Sequence, residues 1–153
     1  GVPCPYCKYV AKPRFFFWPM VRYSKKYVSE KLMSRYPSLK ALGQIASIAG
    51  KEKSDYGNFS RLTKIEITGE NGKSDWIRAE DFRLTIDPTG RIIKSAAFEI
   101  RDEGDSWAFV GGRGYGHGVG MCQCGAQELA RRESNAEEIL AYYYPGSKIA
   151  RLY

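Results

Sequence analysis

The chain has 153 residues, 43% hydrophobic and 14% aromatic, which lies in the ordinary globular range and fits a single domain, 1–153, with one core. No stretch approaches the roughly 20 apolar residues that a membrane-crossing helix needs, so a transmembrane segment is excluded as an expectation. Twenty-four Lys and Arg against 17 Asp and Glu leave a net charge of +7, which favours anionic partners such as nucleic acid, acidic lipid or acidic wall polymer. The basic residues, among them Lys12, Arg14, Arg22, Lys51, Arg131 and Arg132, are spread without a run of five, as on a solvated surface. No helix-turn-helix, zinc-finger helix or RNP-type signature accompanies them, which disfavours nucleic acid. Residue 1 is Gly and no charged-then-apolar leader follows, so a processed or excised form is expected.

In chain order, residues 1–20 are rich in proline and aromatics, with Phe15-Phe16-Phe17-Trp18 between Pro13 and Pro19, and read as an extended Cys/aromatic arm. Ser24 can cap a helix over 25–36, because Tyr27, Val28, Leu32 and Tyr36 share a stripe and Pro37 stops it. Between 44 and 110 the pattern becomes short alternating runs. In 61–68, Thr63, Ile65 and Ile67 fall on one face and Leu62, Lys64 and Glu66 on the other. Asn71-Gly72 turns into a strand over 73–78, Pro88-Thr89-Gly90 into one over 91–100, and 102–105 into one over 106–110. The intervening 79–86 reads as a helical turn. Helices are expected within 122–144: one over 123–132, then one capped by Ser134 or Asn135, with Glu137 and Glu138 at capping-box spacing. These elements predict an α+β fold with an antiparallel sheet, open or curved toward a barrel, and helices near both ends.

The loop 111–121 is the most informative stretch. Gly111-Gly112-Arg113-Gly114-Tyr115-Gly116-His117-Gly118-Val119-Gly120 sets six glycines around the single histidine, so backbone amides and one imidazole can approach a ligand closely. A phosphate loop is excluded by the missing G-x-x-x-x-G-K-[ST] ending, and a dinucleotide fingerprint by the antiparallel context. Together with Met121-Cys122-Gln123-Cys124-Gly125-Ala126, Ile139-Leu140 and Tyr143-Tyr144-Pro145-Gly146, the stretch resembles the SpoIID/LytB family signature G-x-G-x-G-H-G-V-G-M-S-Q-x-G-A followed by I-L-x-x-Y-Y-P-G. Phe82-Arg83 and Lys94-Ser95-Ala96-Ala97-Phe98 resemble two further stretches of that family in order and spacing. The likeness covers residues 76–147.

That resemblance implies a C-terminal portion of a peptidoglycan-directed domain, extracytoplasmic and associated with the cell wall in periplasm or at the cell surface. Family members of known activity are lytic transglycosylases acting on peptidoglycan glycan strands. Such cleavage needs a general acid, which the family places on a glutamate near an A-Q-A-x-A-A-R-T motif absent from this sequence, so the catalytic residue is unknown. Glu80, Glu99 and Glu128 are the substitutes within the chain, each also readable as a surface or capping carboxylate. The implied saccharide-binding residues are Arg113, Tyr115, His117 and Gln123, with Arg83 and Ser95 from the upstream stretches; His117 could instead simply tie loop amides together. A non-catalytic wall-binding or assembly module is the alternative, and the missing first half of the family domain, or another protein chain, is a further expected partner.

The four cysteines form two close pairs, Cys4-Pro-Tyr-Cys7 and Cys122-Gln-Cys124, more than a hundred residues apart. Cys122 and Cys124 depart from the family signature, which has Ser and often an aromatic there. Four thiolates can hold one structural Zn²⁺ at about 2.3 Å. Two disulfides, unmodified thiols and an iron–sulfur cluster are the alternatives.

Overall fold

Asp87 organises a stretch that the alternating pattern alone would make a strand. It lies just past the second of two helices in a unit of sheets, and its carboxylate binds the chain that follows. The computed structural model describes residues 4–10, 16–57 and 59–150, and for Cys7 and Lys8 the backbone alone. In chain order the elements are α1 (Cys7–Val10), β1 (Val21–Ser24), α2 (Lys25–Arg35), a 3-10 turn (Pro37–Leu42), β2 (Ile45–Asp55), β3 (Ser60–Gly69), β4 (Ser74–Arg78), α3 (Ala79–Ile86), β5 (Glu99–Asp102), β6 (Ser106–Val110), α4 (Gln123–Arg131) and α5 (Ala136–Tyr143). The chain divides into two compact units, Phe17–Gly116 and a second made of Gly1–Phe16 with His117–Tyr153.

The larger unit holds two three-stranded antiparallel sheets, ordered β1-β6-β5 and β2-β3-β4, and neither closes into a barrel. The expected α+β class with antiparallel pairing is therefore observed. Gly69 to Lys73 forms the tight turn between β3 and β4, where the Lys73 amide donates to the Asn71 side chain at 3.0 Å and Gly72 has φ 75°. In β3, Ile65 and Ile67 point into the core, as the period-two pattern requires. Ser24 caps α2 by accepting from the Tyr27 amide at 3.2 Å, and the helix buries Val28 and Leu32. The Tyr27 hydroxyl donates to the Ile86 carbonyl at 3.1 Å, tying α2 to the end of α3. Phe109 on β6 meets Phe98 edge-on at 5.3 Å and Phe82 of α3 at 6.0 Å, so a knot of aromatic rings joins the β1-β6-β5 sheet to that helix.

Where a strand was expected over 91–100, only Glu99–Asp102 pairs as one. The cause is that side chains take the partners a ladder would use. The amides of Ile92 and Ile93 donate to the Asp87 carboxylate at 2.7 and 2.9 Å, the Ile93 carbonyl accepts from Arg83 Nη1 at 3.0 Å, and the Ala97 amide donates to Ser95 Oγ at 3.1 Å. This irregular path still buries Ile93, Ala96 and Phe98 in the core.

The smaller unit contains α1, α4 and α5. Within the stretch expected to be an extended arm, Cys7–Val10 makes one helical turn. Asn135, one of the two expected caps, starts α5 with a complete capping box: its side chain accepts from the Glu138 amide at 3.0 Å, and Glu138 accepts from the Asn135 amide at 2.9 Å. No helix among the described residues is long and apolar enough to cross a membrane.

Burial pushes the Asp87 carboxyl up, but hydrogen bonds from the Thr89 hydroxyl and from the amides of Ile92, Ile93 and Thr89 outweigh it and hold it below the usual carboxylate range. A depressed folded value means that the stabilisation is present above the unfolded carboxyl value near 3.9 and is lost as pH falls through the folded one. Asp87→Asn should thus cost about 2–4 kcal/mol at neutral pH in denaturant unfolding, and its difference from wild type should shrink below about pH 4.

Candidate functional site

The glycine-rich stretch begins where β6 ends, and in the larger unit it is held by its backbone. Gly112 is buried and its carbonyl accepts from the Trp18 amide at 3.1 Å. A Cβ there would lie 2.1 Å from carbons of the Trp18 indole, so only glycine lets the backbone and the ring lie this close. The Arg113 amide donates to the Ala97 carbonyl at 2.9 Å, and the Gly116 amide to the Lys94 carbonyl at 2.8 Å. The fully buried Ser95 hydroxyl donates to the Arg113 carbonyl, and Arg61 Nη1 donates to the Gly116 carbonyl at 2.9 Å. Phe17 pairs with Arg113, and Ser95 with Gly116, as isolated bridges.

This pinning leaves side chains of alternate residues outside. The Arg113 guanidinium lies over the Phe17 ring, 5.4 Å from its centre, and Phe17 is 56% exposed. Lys94 Nζ sits 4.9 Å from the centre of the Tyr115 ring and donates to its hydroxyl at 3.0 Å, and Tyr115 is 51% exposed. The result is a pair of open aromatic rings, each flanked by a cation, carried on a fixed backbone. Rings of this kind stack on the apolar faces of sugars, while the adjoining N–H donors reach hydroxyls or anionic substituents.

The expected site residues fall in both units. Arg83 and Ser95 lie in the larger unit with Arg113 and Tyr115. Arg83 is buried, with Nε donating to Glu80 at 2.7 Å and Nη1 to the Ile93 carbonyl at 3.0 Å. Ser95 and Arg113 are brought together by the hydroxyl–carbonyl bond already described. His117 and Gln123 belong to the smaller unit, and both are exposed. His117 Nδ1 accepts from the Val119 amide at 3.0 Å, which places the neutral ring's proton on Nε2. The imidazole thus does tie a loop amide, and its Nε2 edge remains available as a donor. The Met121 amide is taken by the Tyr144 hydroxyl at 3.1 Å, just before Gln123 opens α4.

Each of the three substitute carboxylates is in an ion pair: Glu80 with Arg83, Glu99 with Arg101, and Glu128 with Arg132. Cys4, Cys122 and Cys124 are half-buried, and Cys7 has its side chain outside the described set. Among the described residues no three His, Cys, Asp or Glu side chains are grouped so as to hold a metal ion. Three partners of the glycine-rich stretch escaped the motif reading. Phe17 stood in a conspicuous aromatic run and Lys94 beside Ser95, but Arg61 carried no local signal, since only the path of β3 brings it to Gly116.

A two-sheet α+β domain with a backbone-pinned, cation-flanked aromatic surface is the class of protein that these features define. The chain belongs to the family described as a domain of unknown function, DUF8618, whose model matches residues 9–120. It is 31% identical over 149 residues to stage II sporulation protein D of Bacillus subtilis, covering 95% of this chain and 38% of that protein. An uncharacterized protein of Brachyspira hyodysenteriae is 36% identical over 108 residues, 67% of this chain and 27% of that protein. The amidase enhancer of Bacillus subtilis is 29% identical over 92 residues, 60% of this chain and 11% of that protein. The chain is therefore related to stage II sporulation protein D, and it spans well under half the length of these relatives.

Ser95→Ala removes a donor and an acceptor from the interior beneath Arg113. It should cost about 1–3 kcal/mol in denaturant unfolding and speed hydrogen exchange at the Arg113 and Gly116 amides.

Proposed function

We propose that this chain recognises peptidoglycan glycan strands and forms part of a lytic transglycosylase of the SpoIID/LytB type, acting outside the cytoplasm at the cell wall. The observation that carries this reading is the two open rings, Tyr115 on the pinned glycine-rich backbone and Phe17 on the segment bridged to it, each with its cation. The similarity to stage II sporulation protein D and to a protein named for enhancing an amidase supports a role concerned with the wall. On this reading Arg113 and Tyr115 of the larger unit meet the saccharide directly, and for His117 and Gln123 the saccharide role rests on the resemblance of their motif alone. Ser95 and Arg83 serve from beneath, one holding the Arg113 carbonyl and the other the Ile93 segment.

Cleavage would need a proton delivered to the glycosidic oxygen, and the family's acid-bearing motif is not among these residues. Glu80, Glu99 and Glu128 are each paired with an arginine, and none of them is proposed as that acid. The missing motif also favours a second reading, a saccharide-binding or assembly module without catalysis of its own.

Co-sedimentation with purified glycan strands stripped of peptides tests both. Binding is expected, and Tyr115→Ala should weaken it about tenfold, equivalent to ~1.4 kcal/mol. Failure to bind, or binding indifferent to Tyr115→Ala and Arg113→Ala, would sink the glycan reading. Anhydro-sugar products released by this chain alone would defeat the non-catalytic alternative.

A further inference from the structure

The smaller unit has very little interior of its own. Among its described residues Tyr143 is the one buried hydrophobic side chain, and none of them joins the main core cluster. Gly1–Phe16 with His117–Tyr153 falls below the roughly 70–80 residues at which an apolar core usually suffices, and units that small hold together through disulfides or a metal. All four cysteines lie in this unit.

Three of them, Cys4, Cys122 and Cys124, lie about the first turn of α4. Cys122 is the N-cap of α4 and Cys124 lies in that helix's first turn. Cys4 reaches the same turn from the other end of the sequence: a Cβ on Gly125 would lie 2.3 Å from Cys4 Sγ, so the missing side chain at position 125 is what admits the sulfur. Cys4 Sγ is 3.2 Å from the Tyr143 hydroxyl, and that hydroxyl would lie 2.0 Å from the same Cβ. Cys7 opens α1, three residues after Cys4, in C-x-x-C spacing. The first turn of α4 holds no acidic residue, so the partial positive charge of the helix terminus is left to offset thiolates.

We propose that Cys4, Cys7, Cys122 and Cys124 bind one structural Zn²⁺ as a four-thiolate site that fastens the Cys4–Cys7 knuckle to the start of α4. The backbones of α1 and α4 already lie beside each other. Binding displaces the thiol protons, so affinity falls as pH falls. Disulfides within each pair would close loops of only a few residues and would leave the two segments untied, whereas a shared ion joins them; disulfides between the pairs would join them too and are distinguished by the peptide mapping below. Four thiolates leave no open coordination position, so the ion is a fastener and takes no part in chemistry on a substrate. The proposal is independent of the glycan reading.

The test uses the full chain, purified with reductant and without chelator, with zinc measured by atomic emission and then replaced by Co²⁺. About one zinc per chain is expected, with thiolate-to-cobalt charge-transfer and tetrahedral ligand-field bands in the cobalt form. Cys4→Ser and Cys124→Ser should each abolish stoichiometric retention, and chelation should lower the melting temperature of the wild type. If the variants fail to fold, the cobalt spectrum of the wild type decides. Reduced wild-type protein that takes up neither metal would overturn the proposal, as would peptide mapping that finds the four cysteines joined as disulfides in protein purified without reductant.

Discussion

The absence of a side chain at Gly112 is the constraint on which the larger unit's surface depends. The Trp18 indole fills the space a Cβ would need, and the amide of the same tryptophan holds the Gly112 carbonyl. From that point the chain can run against residues 94–97, exchanging backbone hydrogen bonds at Arg113 and Gly116. Glycines at 111, 114, 116 and 118 have φ between 65° and 73°, yet the segment from 112 to 116 is fastened at nearly every peptide. A glycine-rich sequence here encodes close approach and unusual dihedrals, and the fixed backbone that results can hold Arg113 and Tyr115 outward with little entropy left to lose on binding.

The two units meet different physical demands. The larger one is held by aromatic and aliphatic packing around Phe109, by the capped α2, and by a buried carboxylate at Asp87 that replaces sheet pairing with side-chain hydrogen bonds. In the smaller one α5 starts with a complete capping box at Asn135, α4 has no side-chain cap, and few apolar groups are buried among the described residues. Arg132 lies over the rings of Tyr6 and Tyr9, at 5.4 and 5.0 Å from their centres, and Tyr6 meets Tyr142 edge-on at 5.7 Å. These partly exposed contacts between the first and last segments are each worth little, which is why the placement of all four thiols in this unit carries weight.

Local rules were enough to read α2 from Ser24 and Pro37, the Asn71-Gly72 turn, and α5 from its capping box, because each is written within a few neighbouring residues. The stretch 91–98 was misread because its alternation is real but its amides bond to Asp87 and Ser95, which no local pattern reveals. The turn at Pro37–Leu42 and the strand at Val21–Ser24 were not anticipated either, the latter being defined by pairing with Ser106–Val110 far along the chain. At the candidate site, the motif singled out Arg113, Tyr115 and His117. It could not foresee that Arg83 would be buried against Glu80, or that Phe17 and Lys94 would supply half of the cation–aromatic pairs.

The central claim is that the pinned stretch presents an aromatic, cation-flanked surface to a glycan. The most direct measurement is an amide NMR titration of the labelled chain with peptide-free glycan strands. The account predicts saturable shifts at Arg113, Tyr115, Lys94 and Phe17 that persist in moderate salt. Shifts confined to other surfaces, or shifts that vanish with added salt and are matched by an unrelated polyanion, would contradict it.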